Sequence, residues 1–292
     1  MRSRTGTSWG NRLHRMMGAV ERSPALDRLA GRLDALALRR SQTGGAQPVL
    51  TGTWLGHACH PLLTDFADGA WIGASVLDVF GPRGSDPAAR RLVGFGVLAA
   101  VPTAVTGLAE WRHSEGAARR VGVLHAMTST AATVLYGCSY LARSRGRLRS
   151  GIALGVIGGM VAFVDGYFGG HLSLVRGVGV AHTAFERRPT EWTPALPVED
   201  LRDGQPVPAV VDGTDLVFVR GGGRVFALSA RCTYRGAPLD QGRVEEDVIV
   251  CPRHGCSYRL EDGAVVRGPA SIPQPFLETR VQGGSVEVRA PA

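Results

Sequence analysis

The sequence predicts a two-domain α + β protein, in which an N-terminal four-helix transmembrane bundle precedes a small all-β domain. Long apolar stretches occupy the middle of the chain, and several approach the roughly 20 residues that a helix needs to cross the hydrocarbon core. Further along, short alternating runs separated by glycine-rich turns are typical of strands. The predicted parts are an amphipathic segment 1–56, a membrane domain 57–176, a linker 177–198 and a β domain 199–292.

Composition and charge exclude two classes of protein. The 292 residues carry a formal net charge of +8, and all 33 basic residues are arginine. Residues 193–292 nevertheless contain more acidic than basic side chains, so we expect no nucleic-acid partner. The cysteines are odd in number and unevenly spaced, which argues against a secreted disulfide scaffold. They are Cys59, Cys138, Cys232, Cys251 and Cys256.

Apolar residues recur every three or four positions over residues 12–40, with arginine and aspartate between them. This pattern predicts two short amphipathic helices, the second beginning near Ser23-Pro24. Two interpretations remain open for them: helices lying on a membrane surface, or helices packed against the rest of the protein. No apolar signal sequence and no twin-arginine motif is recognisable at this end.

Four apolar stretches follow, and each is a candidate transmembrane helix. The first contains three aspartates and is the weakest candidate, whereas Pro102 predicts a kink in the second. Four crossings would place both termini on the same side of a cell membrane. The stretches cover residues 61–80, 92–109, 121–142 and 151–172.

Two short motifs in the β domain carry the recognisable chemistry. The first is Cys232-Thr233-Tyr234-Arg235-Gly236, and the second is Cys251-Pro252-Arg253-His254-Gly255-Cys256. The second motif places a thiolate and an imidazole three positions apart on a tight turn. Two turns of this kind, facing each other, would hold a [2Fe–2S] cluster between them, with two Cys on one iron and two His on the other.

These motifs resemble the Rieske iron–sulfur family, whose ligand pattern is C-x-H…C-x-x-H, over about residues 199–292. The resemblance implies that Cys232, Cys251 and His254 are cluster ligands. It also implies that Gly268-Pro269-Ala270 forms the loop that closes over the cluster. Tyr258 then stands where a hydroxyl can hydrogen-bond a ligand thiolate and raise the reduction potential.

One ligand departs from the family pattern, because Tyr234 stands where a second histidine is expected. One explanation is that the cluster is absent and the fold is degenerate. Another is that Tyr234 binds iron as a phenolate and lowers the reduction potential. Alternatively, Cys256 moves in to give three cysteines and one histidine, or water completes the set. A structural interpretation of Cys256, as a small buried apolar residue, also stays open.

The membrane half resembles an uncharacterised bacterial four-helix membrane domain that a Rieske domain sometimes follows. The resemblance covers about residues 50–192 and rests on the segment 56–66, on Gly107-Leu108-Ala109-Glu110-Trp111 and on Gly170-His171-Leu172.

Five histidines of this half are predicted to lie at the side that carries the β domain. They could ligate a haem or hydrogen-bond a quinone, or they could simply be solvated at helix ends. Two nearby aspartates belong to the same group of candidates. The residues are His57, His60, His113, His125, His171, Asp65 and Asp165.

The favoured function is a membrane-anchored [2Fe–2S] electron-transfer protein, with the lipid bilayer and an unidentified redox protein as partners. The alternative is a cluster-free Rieske fold that acts as a binding or structural module. A ring-hydroxylating oxygenase is not expected, since only 34 residues follow Tyr258. Flanking arginines do not orient the helices, but clusters are assembled in the cytosol, which favours cytoplasmic termini.

Overall fold

The computed structural model describes residues 8–41 and 47–291. Seven α-helices precede ten strands in this part of the chain, as the predicted order of the two halves requires. The helices are α1 (Ser8–Glu21), α2 (Ala25–Ser41), α3 (Gln47–Thr51), α4 (His60–Phe80), α5 (Asp86–Trp111), α6 (Gly116–Ser144) and α7 (Leu148–Gly170). A π-helical turn, His171–Val175, continues α7.

The chain divides into two compact units. The helical unit contains α1, α2 and His60–Val178. The β unit contains everything from Gly179 onward, together with α3 and the residues that follow it up to Cys59. The first strand lies within residues 177–198, which the sequence predicts to be a linker.

Both predicted amphipathic helices are present, and they pack against the rest of the helical unit. Met17 of α1 is buried against Val121 of α6, and Ala30 of α2 is buried against Val123 of the same helix. The Arg120 guanidinium also pairs with the carboxylate of Asp27 at 2.8 Å. Of the two interpretations of residues 12–40, the structure shows the packed one.

Three helices of the described residues are long and apolar enough to cross a membrane: Asp86–Trp111, Gly116–Ser144 and Leu148–Val175. They contain the second, third and fourth predicted stretches. The helix α4, which contains the first stretch and its three aspartates, is not among them. The four-helix transmembrane bundle therefore stays a prediction. Pro102 lies inside α5, which continues through it.

Small residues let the long helices approach closely. Helix α4 packs on α5, α5 on α6, α6 on α7, and α7 on α4. Trp71 of α4 stacks on Tyr136 of α6 with ring centroids 4.2 Å apart. A Cβ at Gly96 of α5 would lie 2.4 Å from Nε1 of Trp71, so only glycine leaves room for this indole.

The β unit contains two antiparallel sheets. The six-stranded sheet has the order β1-β10-β9-β4-β3-β2, and the four-stranded sheet has the order β5-β6-β7-β8. Their strands are β1 (Thr193–Pro197), β2 (Val207–Val211), β3 (Thr214–Gly221), β4 (Arg224–Ser229), β5 (Arg243–Glu245), β6 (Val248–Val250), β7 (Ser257–Arg259), β8 (Val265–Arg267), β9 (Phe276–Gln282) and β10 (Ser285–Arg289).

Alternating runs predict β3, β4, β6, β9 and β10, and they miss the other five strands. Two of the missed strands, β1 and β2, contain proline and form the outer edges of the six-stranded sheet. Proline is tolerated at such edges because its missing N–H is not needed there. The remaining three have only three residues each, and no alternating run marks them.

Candidate metal centre

Two loops with the same backbone arrangement form the candidate site. In the first, the Cys232 N–H donates to the Ala237 carbonyl at 2.9 Å, and the Gly236 N–H donates to the Cys232 carbonyl at 2.8 Å. In the second, Cys251 pairs with Cys256 and Gly255 in the same way, at 2.8 and 3.1 Å.

Each loop turns at a glycine four positions after its first cysteine. Gly236 has φ 65° and Gly255 has φ 71°, a left-handed conformation that favours glycine. The sequence therefore builds two equivalent turns from two equivalently spaced Cys and Gly residues. The first follows β4, and the second connects β6 to β7.

Three thiols converge where the two loops meet. Cys232, Cys251 and Cys256 are each at most 1% exposed, and the Cys232 thiol is in hydrogen-bonding contact with the other two. The hydrogen bond with Cys232, together with burial, raises the pKa of the Cys251 thiol. Iron would thus displace protons from this site when it binds, as metals do at thiol ligands.

Tyr234 and His254 form a separate pair. Their rings meet edge-on, with centroids 5.4 Å apart and planes at 85°. The Tyr234 hydroxyl and both ring nitrogens of His254 are shielded from solvent, although each residue as a whole is half-buried. The position where the family pattern expects histidine is thus occupied by a phenol that faces the remaining imidazole.

Tyr258 connects the thiols to the first loop. Its hydroxyl lies 3.1 Å from Sγ of Cys232 and 2.9 Å from Oγ1 of Thr233. Because the Thr233 hydroxyl donates to the Ile272 carbonyl at 3.0 Å, it can only accept from Tyr258, so the single phenol proton is directed at either Oγ1 of Thr233 or Sγ of Cys232. Burial, reinforced by the charges of Cys232 and Cys256, raises the pKa of Tyr258, so this phenol remains a donor.

The third loop contains the predicted Gly268-Pro269-Ala270 segment. Its Gly268–Pro269 peptide is cis, and all three residues are buried. The Cys256 thiol is hydrogen-bonded to the backbone of Ala270. On its other side, the Ala270 carbonyl accepts a bond from the Thr53 hydroxyl at 3.2 Å.

Gln274 is a site residue that sequence reasoning missed. Its amide is 1% exposed and holds the first loop at three points. The oxygen accepts from the Thr233 N–H at 3.0 Å, while Nε2 donates to the carbonyls of Ser229 and Arg231 at 2.9 and 2.6 Å. No local motif marks this glutamine, because its partners lie some 40 residues earlier in the chain.

His182 was also missed, and it lies beside the first loop. Its backbone N–H donates to the Thr233 carbonyl at 3.0 Å. A Cβ at Gly236 would lie 3.4 Å from Nδ1 of this histidine, which places the ring against the turn.

The structure separates the histidines and aspartates predicted for the membrane half. It brings His60, His125 and Asp165 together inside the helical unit. His57 belongs to the β unit, and its Nδ1 lies 2.9 Å from the Ala58 carbonyl. His171 instead pairs with Glu21 at 2.8 Å. Asp65 is exposed, and His113 lies in the turn between α5 and α6.

Comparison with known families assigns both halves. Residues 191–279 match the Rieske [2Fe-2S] domain, and residues 56–182 match a predicted membrane protein family, DUF2231. The chain joins a DUF2231 domain to a Rieske domain. Rieske domains hold a [2Fe–2S] cluster between two Cys and two His ligands, and Cys232, Cys251 and His254 stay the predicted ligands in this domain.

Two similar proteins are by name components of dioxygenases. The 3-phenylpropionate/cinnamic acid dioxygenase ferredoxin subunit of Escherichia coli (strain K12) is 29% identical over 98 residues, or 33% of this chain and 92% of that protein. The terminal oxygenase component of carbazole 1,9a-dioxygenase from Sphingomonas sp. is 37% identical over 78 residues. This match covers 26% of the present chain and only 20% of the oxygenase.

A solved structure is also similar to the Rieske domain. It is the ferredoxin of carbazole 1,9a-dioxygenase from Nocardioides aromaticivorans IC177, with 27% sequence identity and a TM-score of 0.33. The similarity covers 35% of this chain and 100% of that ferredoxin.

Proposed function

We propose that this protein is a membrane-bound electron carrier whose Rieske domain holds a [2Fe–2S] cluster with an altered ligand set. The observation that carries the proposal is the pair of matched loops, which presents Cys232, Cys251 and His254. When bound, such a cluster accepts and releases one electron at a time. The chain's own residues hold it, exclude water and set its potential.

Tyr234 is the fourth ligand that the geometry favours. Its ring lies directly against the ring of His254, so a metal held by this imidazole would lie close to the Tyr234 phenol. Cys256, in contrast, lies with Cys232 and the backbone of Ala270, on the side of the two cysteine ligands. We therefore assign Cys256 a hydrogen-bonding role near these thiolates. An anionic oxygen ligand would favour ferric iron and lower the potential relative to imidazole.

Iron and acid-labile sulfide in the full chain, purified without oxygen, test this proposal. Two iron and two sulfide per chain, the content of one [2Fe–2S] cluster, would support the proposal. Replacing Tyr234 by Phe should then remove most of the iron, whereas replacing Cys256 by Ser should leave most of it bound. The opposite ranking of the two variants would assign Cys256 as the ligand.

A cluster-free binding module is the second candidate function, and the phenol at position 234 is the observation that favours it. Loss of one of four ligands removes much of the affinity of a metal site. A folded chain that contains neither iron nor sulfide would establish this candidate. Tyr234→His should then restore cluster binding, because both loops already have the required backbone conformation.

The membrane anchor is proposed to consist of α4 to α7, with both ends of the bundle on the cytoplasmic side. Helix α4 has 21 residues, which span about 31 Å and match the hydrocarbon core. Large apolar side chains point away from the helical unit on all four helices. Phe80, Phe95, Leu98, Leu141 and Phe163 are each about half exposed or more. In water such a surface would be unfavourable, whereas in lipid it is the expected one.

Membrane topology is tested with a reporter fused after Ala292 and with a second reporter in the turn between α6 and α7. The first should be accessible only from the cytoplasm and the second only from outside. Accessibility of both from the same side would exclude the single crossing by α7 that the proposal places between them.

A protein electron acceptor or donor is the proposed redox partner. One relative is by name the ferredoxin subunit of a dioxygenase, which is the kind of protein that passes electrons to another protein. Reduction of the purified chain by a ferredoxin reductase, followed by reoxidation with a soluble Rieske oxygenase, would show this competence directly.

A further inference from the structure

Two histidines from different helices face each other inside the helical unit. His60 is the first residue of α4, and His125 lies in α6. Their ring centroids are 6.4 Å apart, and their planes are nearly perpendicular, at 88°. This pair lies in the DUF2231 domain, whereas the cysteine loops belong to the Rieske domain.

The tautomer of His60 follows from its hydrogen bond. Its Nδ1 lies 3.0 Å from the backbone carbonyl oxygen of Thr103 and 3.4 Å from the hydroxyl of Thr106. A carbonyl oxygen can only accept, so Nδ1 carries the proton. In the neutral ring, the lone pair of Nε2 is then the one available to a ligand.

His125 has the same tautomer for a related reason. Its Nδ1 lies 2.7 Å from Oδ1 of Asp165 on α7. The same carboxylate accepts hydrogen bonds from the hydroxyls of Thr128 and Ser129, at 2.5 and 2.6 Å. Because both oxygens of Asp165 act as acceptors, Nδ1 of His125 beside them carries the proton, and Nε2 keeps its lone pair.

This arrangement is the one that surrounds metal-binding histidines. Such a residue almost always donates its second ring N–H to a carboxylate or a backbone carbonyl, which fixes the ring and increases its basicity. Here one ring has the carbonyl and the other has the carboxylate.

The number of ligands indicates which metal centre fits. Among the residues that the structure describes, no group of three His, Cys, Asp or Glu side chains is placed to hold a metal ion. A bare zinc ion needs about four donors, and two imidazoles would leave it incomplete. A haem iron already has four porphyrin nitrogens and takes its remaining ligands from side chains such as histidine.

We propose that the helical unit binds a haem, with Nε2 of His60 and Nε2 of His125 as the two axial ligands. Imidazole nitrogens bind at about 2 Å, so the centroids of two axial rings lie roughly 6 Å apart. The observed separation of 6.4 Å agrees with this value. Because both axial positions would be filled, the haem would carry electrons and would not bind oxygen.

Glycines on the neighbouring helices leave room for the two rings. A Cβ at Gly107 of α5 would lie 2.7 Å from Cε1 of His60, and one at Gly169 of α7 would lie 3.3 Å from Cε1 of His125. The first of these contacts is too short for any other residue. The His60 imidazole therefore needs glycine at position 107, whereas a side chain at position 169 would displace the His125 ring by a few tenths of an ångström.

Absorption and electron paramagnetic resonance of the full chain in detergent test the site, after expression with a haem precursor or titration with hemin. We expect equimolar haem with a low-spin spectrum. His60→Ala and His125→Ala should each remove the low-spin signal and lower haem affinity by more than about tenfold. Added imidazole should restore the signal. His113→Ala, in the turn between α5 and α6, is the matched control and should change neither property.

Asp165→Asn tests the positioning role of the carboxylate. The variant should keep its haem but show a higher reduction potential, since the imidazole loses the charge that makes it a stronger donor. If an alanine variant aggregates, His60→Gln and His125→Gln replace it with side chains of similar size.

Three results would overturn the proposal. One is a folded chain that shows no Soret band after hemin titration. Another is a low-spin spectrum that persists in both single-histidine variants, and the third is a stoichiometric bare metal ion without porphyrin. The cluster proposal is tested separately, because Cys232→Ser should abolish labile sulfide and leave the Soret band unchanged.

Discussion

The phenol ring of Tyr234 meets the imidazole of His254 edge-on, with ring centroids 5.4 Å apart. The two residues come from different loops, yet each loop has the same hydrogen-bonded turn around a left-handed glycine. The two loops therefore share one backbone turn, and Tyr234 is the side chain that departs from the predicted ligand pattern. This makes the consequences of changing that side chain specific.

Tyr234→His should convert the site to the ordinary Rieske ligand set. A neutral imidazole in place of an anionic oxygen should raise the reduction potential by on the order of 100 mV. It should also remove any tyrosinate-to-iron absorption band. Potentiometric titration followed by electron paramagnetic resonance measures the first effect, and resonance Raman spectroscopy measures the second. A potential that is equal in the two proteins would show that Tyr234 is not a ligand.

Tyr258→Phe should lower the potential of a cluster bound through Cys232. The Tyr258 hydroxyl lies 3.1 Å from this sulfur, and a donor at that distance stabilises the more electron-rich, reduced state. A difference of about 1 kcal/mol between the two oxidation states equals about 40 mV. We therefore expect a decrease of some tens of millivolts.

Thr233→Val is the matched control for the Tyr258 variant. It removes the second partner of the phenol, 2.9 Å away, and leaves the phenol free to donate to sulfur. Its potential should stay the same or rise. A decrease of similar size in both variants would indicate a general loosening of the first loop instead.

Local spacing explains which parts of the site the sequence could predict. Cys232, Cys251 and His254 are recognisable as candidate ligands because each lies in a short motif of characteristic spacing on a turn. Gln274 could not be found, because it reaches back over some 40 residues to hold Thr233. The choice between Tyr234 and Cys256 also required tertiary structure, since only packing shows which of them lies beside His254.

In the helical unit, too, local patterns in the sequence predict the elements, whereas their contacts depend on tertiary packing. Hydropathy predicts the three apolar spans, and spacing predicts two amphipathic helices, but neither shows that Met17 and Ala30 are buried against α6. Five histidines were equivalent candidates by sequence. Only the packing of α4, α6 and α7 brings His60 and His125 together with Asp165.

A buried ion pair between Asp78 of α4 and Arg143 of α6 should be important for the helical unit. Its two hydrogen bonds measure 2.8 and 2.5 Å, and the side chains are 9% and 2% exposed. Asp78→Ala alone leaves a buried, unpaired guanidinium and should cost about 3–5 kcal/mol. The double variant with Arg143→Ala should be less destabilised than either single variant. Detergent-based thermal unfolding measures all three, and strictly additive effects would contradict the pairing.

Glu186 gives the β unit a dependence on pH that can be tested by a single substitution. Burial raises the pKa of its carboxyl, which accepts a hydrogen bond from the Ser229 hydroxyl at 2.5 Å. A group with a raised pKa in the folded state contributes stability at low pH, and this contribution is lost as pH rises through that pKa. Glu186→Gln keeps an acceptor for Ser229 and removes the buried charge. The variant should therefore unfold at a higher temperature than the parent near pH 7.

The stabilisation by Glu186→Gln should disappear below about pH 4, where the parent carboxyl is protonated in both states. Circular dichroism melting of both proteins at the two pH values measures the difference. Glu191→Gln, on the exposed stretch just beyond, is the control and should have no effect at either pH. A gain of equal size at pH 7 and at pH 4 would show that the amide packs better, and that the charge of Glu186 has no part in the effect.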